Sequence, residues 1–148
     1  MWWIGGGGLI LRRAALPSAA VPDPDHRPPM PRIAPHIFRK RLLIEGFFAR
    51  EAVTAQTVRD YFAFITTSLG LRTYADPIVH ETGGEGKPEN QGFDAFVPLI
   101  DSGIYVCVWS GPRFASVILY TCAEFDEGRA TALTREFLQM GETDSFLF

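Results

Sequence analysis

Between two runs rich in β-branched and aromatic residues, 93–100 and 104–109, sits Asp101-Ser102-Gly103. An acid, a hydroxyl and a glycine in succession can do chemistry on the backbone itself. Gly103 lets the chain take conformations that other residues resist, and a serine held there can lie with its hydroxyl against the carbonyl of the residue before it. The same three residues also make an ordinary tight hairpin turn. Residue types alone leave both readings open.

The remaining chemistry-bearing residues exclude more than they assign. Cys107 and Cys122 lie in apolar, strand-like sequence and neither has a CxxC neighbour, which favours free thiols in a reducing cytoplasm. His26, His36 and His80 are scattered, so no zinc site is expected. The polar, glycine-rich stretch 81–90, ETGGEGKPEN, lacks the spacing of a phosphate-binding loop and does not lead directly into a helix, so it reads as a solvated loop or a lid over a pocket. A formal charge of −3 provides no basic field for nucleic acid. No apolar run reaches the length of a membrane span, so a soluble domain is expected.

The elements that must position these residues follow from periodicity. With 148 residues and 47% hydrophobic content, the chain can bury a single core. Residues 1–35 hold a four-glycine run and most of the prolines, a composition that predicts a disordered tail. Arg12 and Arg13 follow the apolar segment 2–11 rather than precede it, which argues against a signal peptide, and Met30 is an alternative start of translation. The domain proper is expected over 36–148. Residues 39–48 predict a first strand with a bulge at Gly46. Thr54 then caps a helix whose Val58, Tyr61, Phe62, Ile65 and Leu69 form one apolar face, ended by Gly70. Residues 71–80 predict a second strand, placed at an edge by Pro77. Three strands follow, 93–100, 104–109 and 114–122, and Asp126 caps a second helix over 127–140. The order β-α-β-β-β-β-α predicts an α+β fold, a mostly antiparallel sheet with two helices on one face.

Read as one stretch, 91–122 resembles the cleavage region of the prokaryotic, pyruvoyl-dependent S-adenosylmethionine decarboxylases. Their motif, Glu-Ser-His-Ile-Ser-Ile-His-Thr-Trp-Pro with a later Thr-Cys-Gly, is matched here without a gap by Asp101 to Ser110 and by Thr121-Cys122-Ala123. The family's Gly-Val-Ser-Gly aligns with Gly92-Phe93-Asp94-Ala95. The resemblance covers roughly the last 110 residues, the size of one small domain.

The resemblance implies that the chain cleaves itself between Asp101 and Ser102, leaving a pyruvoyl group derived from Ser102, with no metal, that forms a Schiff base with the substrate amine. It implies that Cys122 returns a proton to the substrate carbon, and that Trp109 lies by the substrate, where a flat ring suits an adenine or a sulfonium cation. Cys107 stands where the family has the histidine that assists elimination. Asp94 stands in place of a processing serine, and Gly103 in place of the histidine after the cleavage serine. Cys107, flanked by Val106 and Val108, should have a raised pKa rather than a lowered one. Gly111 stands where the family has an acidic residue suited to ribose hydroxyls. The implied assembly is a homodimer, an αββα sandwich, and the implied role is decarboxylation of S-adenosylmethionine for spermidine synthesis. The departures leave two alternatives: another amino acid such as ornithine or arginine as substrate, or an unprocessed, non-catalytic dimeric homologue or ligand-binding partner.

Overall fold

A computed structural model describes the chain from residue 34 to residue 148. Apart from Ala34 and Pro35, the tail expected over 1–35 lies outside the described residues, as do the signal-peptide question and the alternative start. Strand β1, Lys40–Phe48, is followed by helix α1, Ala55–Leu69, and then by β2, Ile78–Thr82. The hairpin-linked strands β3, Gly92–Leu99, β4, Ser102–Trp109, and β5, Phe114–Thr121, come next, then helix α2, Glu127–Leu138, and β6, Met140–Leu147. All six strands join one antiparallel sheet in the order β2-β3-β4-β5-β1-β6.

Local chemistry sets the ends of the helices. Thr54 forms a capping box with Thr57, its side chain accepting from the Thr57 N–H while the Thr57 hydroxyl accepts from the Thr54 N–H, which satisfies donors that the first turn leaves open. Gly70 closes α1 in the left-handed region, φ 67°, where a glycine carries no steric penalty. Asp126 caps α2 by accepting from the Arg129 N–H. The C-cap of α2 is Gln139, also left-handed, so the helix stops two residues earlier than its pattern predicts.

One face of the sheet meets both helices. Leu42, Ile44, Ala95, Val97, Ile104, Val106, Val117 and Leu119 alternate along their strands and form a single buried cluster with Val58, Tyr61, Phe62 and Ile65 of α1 and Ala130 and Leu138 of α2. Each fully buried aliphatic side chain contributes roughly 1.5–3 kcal/mol. The Tyr61 hydroxyl meets Thr134 Oγ1 at 2.9 Å inside this layer, tying the two helices together, and burial holds the tyrosine proton well above its usual range. The expected α+β class, with both helices on one face, is therefore the observed one.

Two elements differ from the sequence reading. The segment 71–77 is not a strand; only Thr73 bridges, to Leu99, and β2 begins after Pro77, which has no N–H to donate to a ladder. β2 is an edge strand, as the proline implies. At the other edge, β6 was not expected. Its sequence, MGETDSFL, is mostly exposed and polar, and only pairing to β1 identifies it. The pairing register shifts between Gly46 and Phe48, so Gly46 does mark a bulge. A Cβ at Gly46 would lie 2.6 Å from the Glu142 carbonyl oxygen. Gly46→Ala is therefore expected to push β6 off the edge and to cost about 1–3 kcal/mol, read as a lower denaturation midpoint with faster hydrogen exchange confined to 140–147.

Candidate functional site

Ser102 does not sit in the corner that its neighbours suggest. The connection is Ile100–Asp101, and Ser102 is already the first residue of β4, directly opposite Leu99 of β3. Gly103 is inside the strand, packed under the ring of Phe96, whose Cε2 lies 2.5 Å from where a Cβ would be. The residue forced into the left-handed region is Asp101, φ 54°. That conformation costs an L-residue about 1 kcal/mol, Asp tolerating it better than most because its short polar side chain can bond locally. The strain thus falls on the residue whose carbonyl the Ser102 hydroxyl would attack.

Alternation places Ser102 on the helix-covered side of the sheet, at its rim, level with buried Leu99. There its Oγ accepts a hydrogen bond from the backbone N–H of Cys122 at 3.0 Å. Cys122 follows β5 immediately, where Tyr120 pairs with Gly103, so the β4–β5 register is what brings these two residues together across twenty positions of sequence. The bond occupies one lone pair of the hydroxyl oxygen and leaves its hydrogen free to be transferred. A cavity of about 240 Å³ opens beside them, lined by Asp101, Ser102, Thr121 and Cys122 from the sheet and by Gly70 and Arg72 from the exit of α1.

A second group lies elsewhere. On the open face, Asp94 of β3 pairs with Cys107 of β4, and the thiol lies 3.1 Å from Asp94 Oδ1 and 3.0 Å from the Tyr105 hydroxyl oxygen. Tyr105 in turn donates to Asp94 Oδ1 at 3.2 Å. A thiol has one hydrogen, so it donates to one of these oxygens at a time. Burial pushes the Cys107 thiol up to about 11, with Asp94 adding to the rise and the Tyr105 hydroxyl opposing it. The hydrogen bond with Cys107 and burial also hold the Tyr105 proton well above its usual range. Near neutral pH, Cys107 is a proton donor and not a base. A cavity of about 290 Å³ adjoins this group, walled by Trp109, Asp94 and Cys107 with Thr82, Glu85 and Asn90 from the loop side.

The two groups do not meet within one chain. Ser102 and Cys107 are five residues apart on one strand, about 17 Å at strand rise, and opposite parity turns them to opposite faces. Ser102 and Cys122 share one cavity; Asp94, Cys107 and Trp109 share another. Sequence reasoning passed over Tyr105, although its spacing from Cys107 is the period-two signal of a shared strand face. It also passed over Arg72, which only the turn after α1 brings to the wall of the cavity beside Ser102. Among the described residues, no group of three or more His, Cys, Asp or Glu could hold a metal ion, and no helix is long and apolar enough to cross a membrane.

Three measurements follow from this geometry. Asp101→Gly relieves the left-handed backbone and is expected to raise stability by up to about 1 kcal/mol, read from the denaturation midpoint. Between about pH 9, where an unfolded thiol ionises, and pH 11, the folded chain holds the Cys107 proton that the unfolded chain loses. Stability must therefore fall as pH rises through that window. Asp94→Asn removes one cause of the rise, so alkylation of Cys107, followed by mass spectrometry, should become fast at a lower pH than in the parent.

Neither the protein-family models nor the curated proteins contain a match to this sequence. Among solved structures, the fold is similar to the crystal structure of the adenosylmethionine decarboxylase from Aquifex aeolicus VF5, with a TM-score of 0.62 and 16% sequence identity over 76% of this chain and 89% of that one. The chain therefore has the fold of an adenosylmethionine decarboxylase, a structural relationship carried at low sequence identity.

Proposed function

We propose that this chain is a self-cleaving decarboxylase of an amino-acid substrate, working as a homodimer. One observation carries the reading: Ser102 Oγ sits 3.0 Å from the Cys122 amide nitrogen, beside a left-handed Asp101 and a cavity that the cysteine also lines. In the first step the Ser102 oxygen bonds to the Asp101 carbonyl carbon as the Asp101–Ser102 C–N bond breaks, leaving an ester and a free amine. The Cys122 N–H keeps the hydroxyl oriented, and relief of strain at Asp101 favours opening of that peptide. Loss of the Ser102 Cα hydrogen then expels the Asp101 carboxylate, and water displaces ammonia to leave a pyruvoyl group at residue 102. Once formed, that group supplies a carbonyl that condenses with an amine and accepts the electron pair left behind as carbon dioxide departs. Cys122, in the same cavity, is the proton source for the substrate carbon. S-adenosylmethionine, the substrate in the name of the similar structure, is the first to test, with spermidine synthesis as the route it would feed, followed by ornithine and arginine.

The open face supports the dimer. The strand registers align Ile78, Phe96, Tyr105, Ile118, Leu43 and Phe146 in one apolar row across all six strands. Ile78, Phe96 and Tyr105 are 56%, 40% and 40% exposed. From strand spacing and rise the face measures about 750 Å², close to the ~800 Å² per partner of a standard interface.

A second reading, an unprocessed binding protein, is favoured by the position and protonation of Cys107, which cannot act as a base at its own chain's Ser102. Intact mass separates the two. The proposed function expects two chains, 1–101 and 102–148, the second without a free amino terminus, and a single uncut chain for Ser102→Ala. An uncut wild-type chain overturns it in favour of the binding protein. Cys122→Ala should still cleave but release carbon dioxide about 10²-fold or more slowly. Ile118→Arg should convert a dimer to a monomer in sedimentation equilibrium.

A further inference from the structure

Beyond Thr121 the chain leaves the sheet. Thr121 is the last residue of β5 to pair with β1, opposite Lys40, and from Cys122 to the Asp126 cap of α2 the backbone belongs to no strand or helix. Yet this is the segment that must present Cys122 to Ser102. Among the described residues, two side chains from outside the segment bond its backbone before α2 begins. Ser102 Oγ accepts from the Cys122 N–H at 3.0 Å, and Lys40 Nζ donates to the Phe125 carbonyl at 2.7 Å. The bond from the Ala123 N–H to Thr121 Oγ1, 2.9 Å, is a local turn.

The lysine spends its whole donor capacity here. Its side chain is 15% exposed, and its three ammonium hydrogens meet three acceptors on one short stretch: the Phe125 carbonyl, Glu127 Oε2 at 2.6 Å and Glu124 Oε2 at 3.5 Å. The ring of Phe125, itself part of the core, has its centroid 4.9 Å from the same nitrogen. The three bonds do not weigh equally. Glu124 and Glu127 have side chains 73% and 50% exposed, so water screens both ion pairs. The bond to the Phe125 carbonyl is partly buried, and a charge-assisted bond there keeps more of its strength. It fixes the backbone three residues beyond Cys122.

We infer that Lys40 is a positioning residue, holding the segment that carries Cys122 so that its amide meets the Ser102 hydroxyl while the cysteine lines the same cavity. This rests on the proposed roles of Ser102 and Cys122. Lys40 does not line that cavity; it acts through the Phe125 carbonyl. Without the tether the Cys122 amide spends less of its time bonded to Ser102, and misplacement of a reacting group by about 1 Å is enough to slow a reaction about a hundredfold. Both tasks assigned to Cys122, orienting the hydroxyl and returning the proton, then depend on one lysine at the start of β1.

The test sets the carbonyl bond against the ion pairs, which a merely structural role would treat alike. Lys40→Met removes all three contacts, Glu127→Gln the shorter ion pair alone, and Lys40→Arg keeps a charged donor. Hydrogen exchange, read by mass spectrometry, is followed for each in the uncut Ser102→Ala chain, where Lys40 is the outside side chain left holding 122–126. Exchange at 122–126 should quicken about ten- to hundredfold with Lys40→Met, the size of a lost charge-assisted hydrogen bond. It should return part of the way with Lys40→Arg and stay near the Ser102→Ala rate with Glu127→Gln. In chains that keep Ser102, made by cell-free translation and weighed over time, self-cleavage should slow by a similar factor with Lys40→Met and not with Glu127→Gln. Exchange at 122–126 indifferent to Lys40→Met, or raised as much by Glu127→Gln, overturns the inference. So does a rise spread evenly over the sheet and both helices, or a Lys40→Met chain that cleaves as fast as the wild type. A wild-type chain that stays uncut overturns the proposed function instead, and the exchange result then decides whether Lys40 positions Cys122.

Discussion

The antiparallel register of β3, β4 and β5 governs everything else in this molecule. Side chains alternate with a period of two, so the pairing Leu99 to Ser102, Gly103 to Tyr120 and Asp94 to Cys107 decides at once which residues enter the core and which face outward. A slip of one residue would reverse every assignment. It would expose Ile104, Val106 and Val117, all at most 2% exposed, and bury Cys107 and Asp94. The burial of that aliphatic layer under two helices is thus the same constraint that sets Ser102 against the Cys122 amide.

That constraint also explains why the chemistry falls into two places. A strand offers two faces, and a hydroxyl and a thiol five residues apart must occupy opposite ones. On the covered side, Ser102 meets a strained backbone and an amide donor. On the open side, a polar row runs across the sheet from His80 through Asp94, Cys107, Ser116 and Glu45 to Asp144, with Ser116 donating to Glu45 Oε1 at 2.9 Å. An apolar row lies directly alongside. A sheet face meant only for water would have no reason to align its aromatic and aliphatic residues in this way.

The pins at the sheet's margins serve the same register. Lys40, at the start of β1, reaches Glu127 at 2.6 Å and the Phe125 carbonyl at 2.7 Å, holding the first turn of α2 over the end of the sheet. At the opposite end, Arg113, itself left-handed at φ 59°, donates to the carbonyls of Phe48, Ala49 and Arg50. The side chain closes the β4–β5 turn onto the exit of β1, so β5 cannot slide along β1 without losing those bonds.

What could be read from the residues alone was whatever depends on local periodicity and capping. The apolar stripe of Val58, Tyr61, Phe62 and Ile65, the Thr54 and Asp126 caps, the Gly70 stop, the run of three central strands and the edge position imposed by Pro77 all follow from short-range rules. The pairing of Ser102 with Cys122 was legible only through the family-like spacing between them. Tertiary structure decided the rest. It made a strand of the polar 140–147, because pairing to β1 supplies what the side chains do not. It moved the turn from Asp101-Ser102-Gly103 to Ile100-Asp101, because Leu99 and Ser102 pair directly. It separated Cys107 and Asp94 from Ser102 and brought Arg72 to the wall of the cavity beside it, since strand parity and the path of a loop are relations between distant segments that no local pattern encodes.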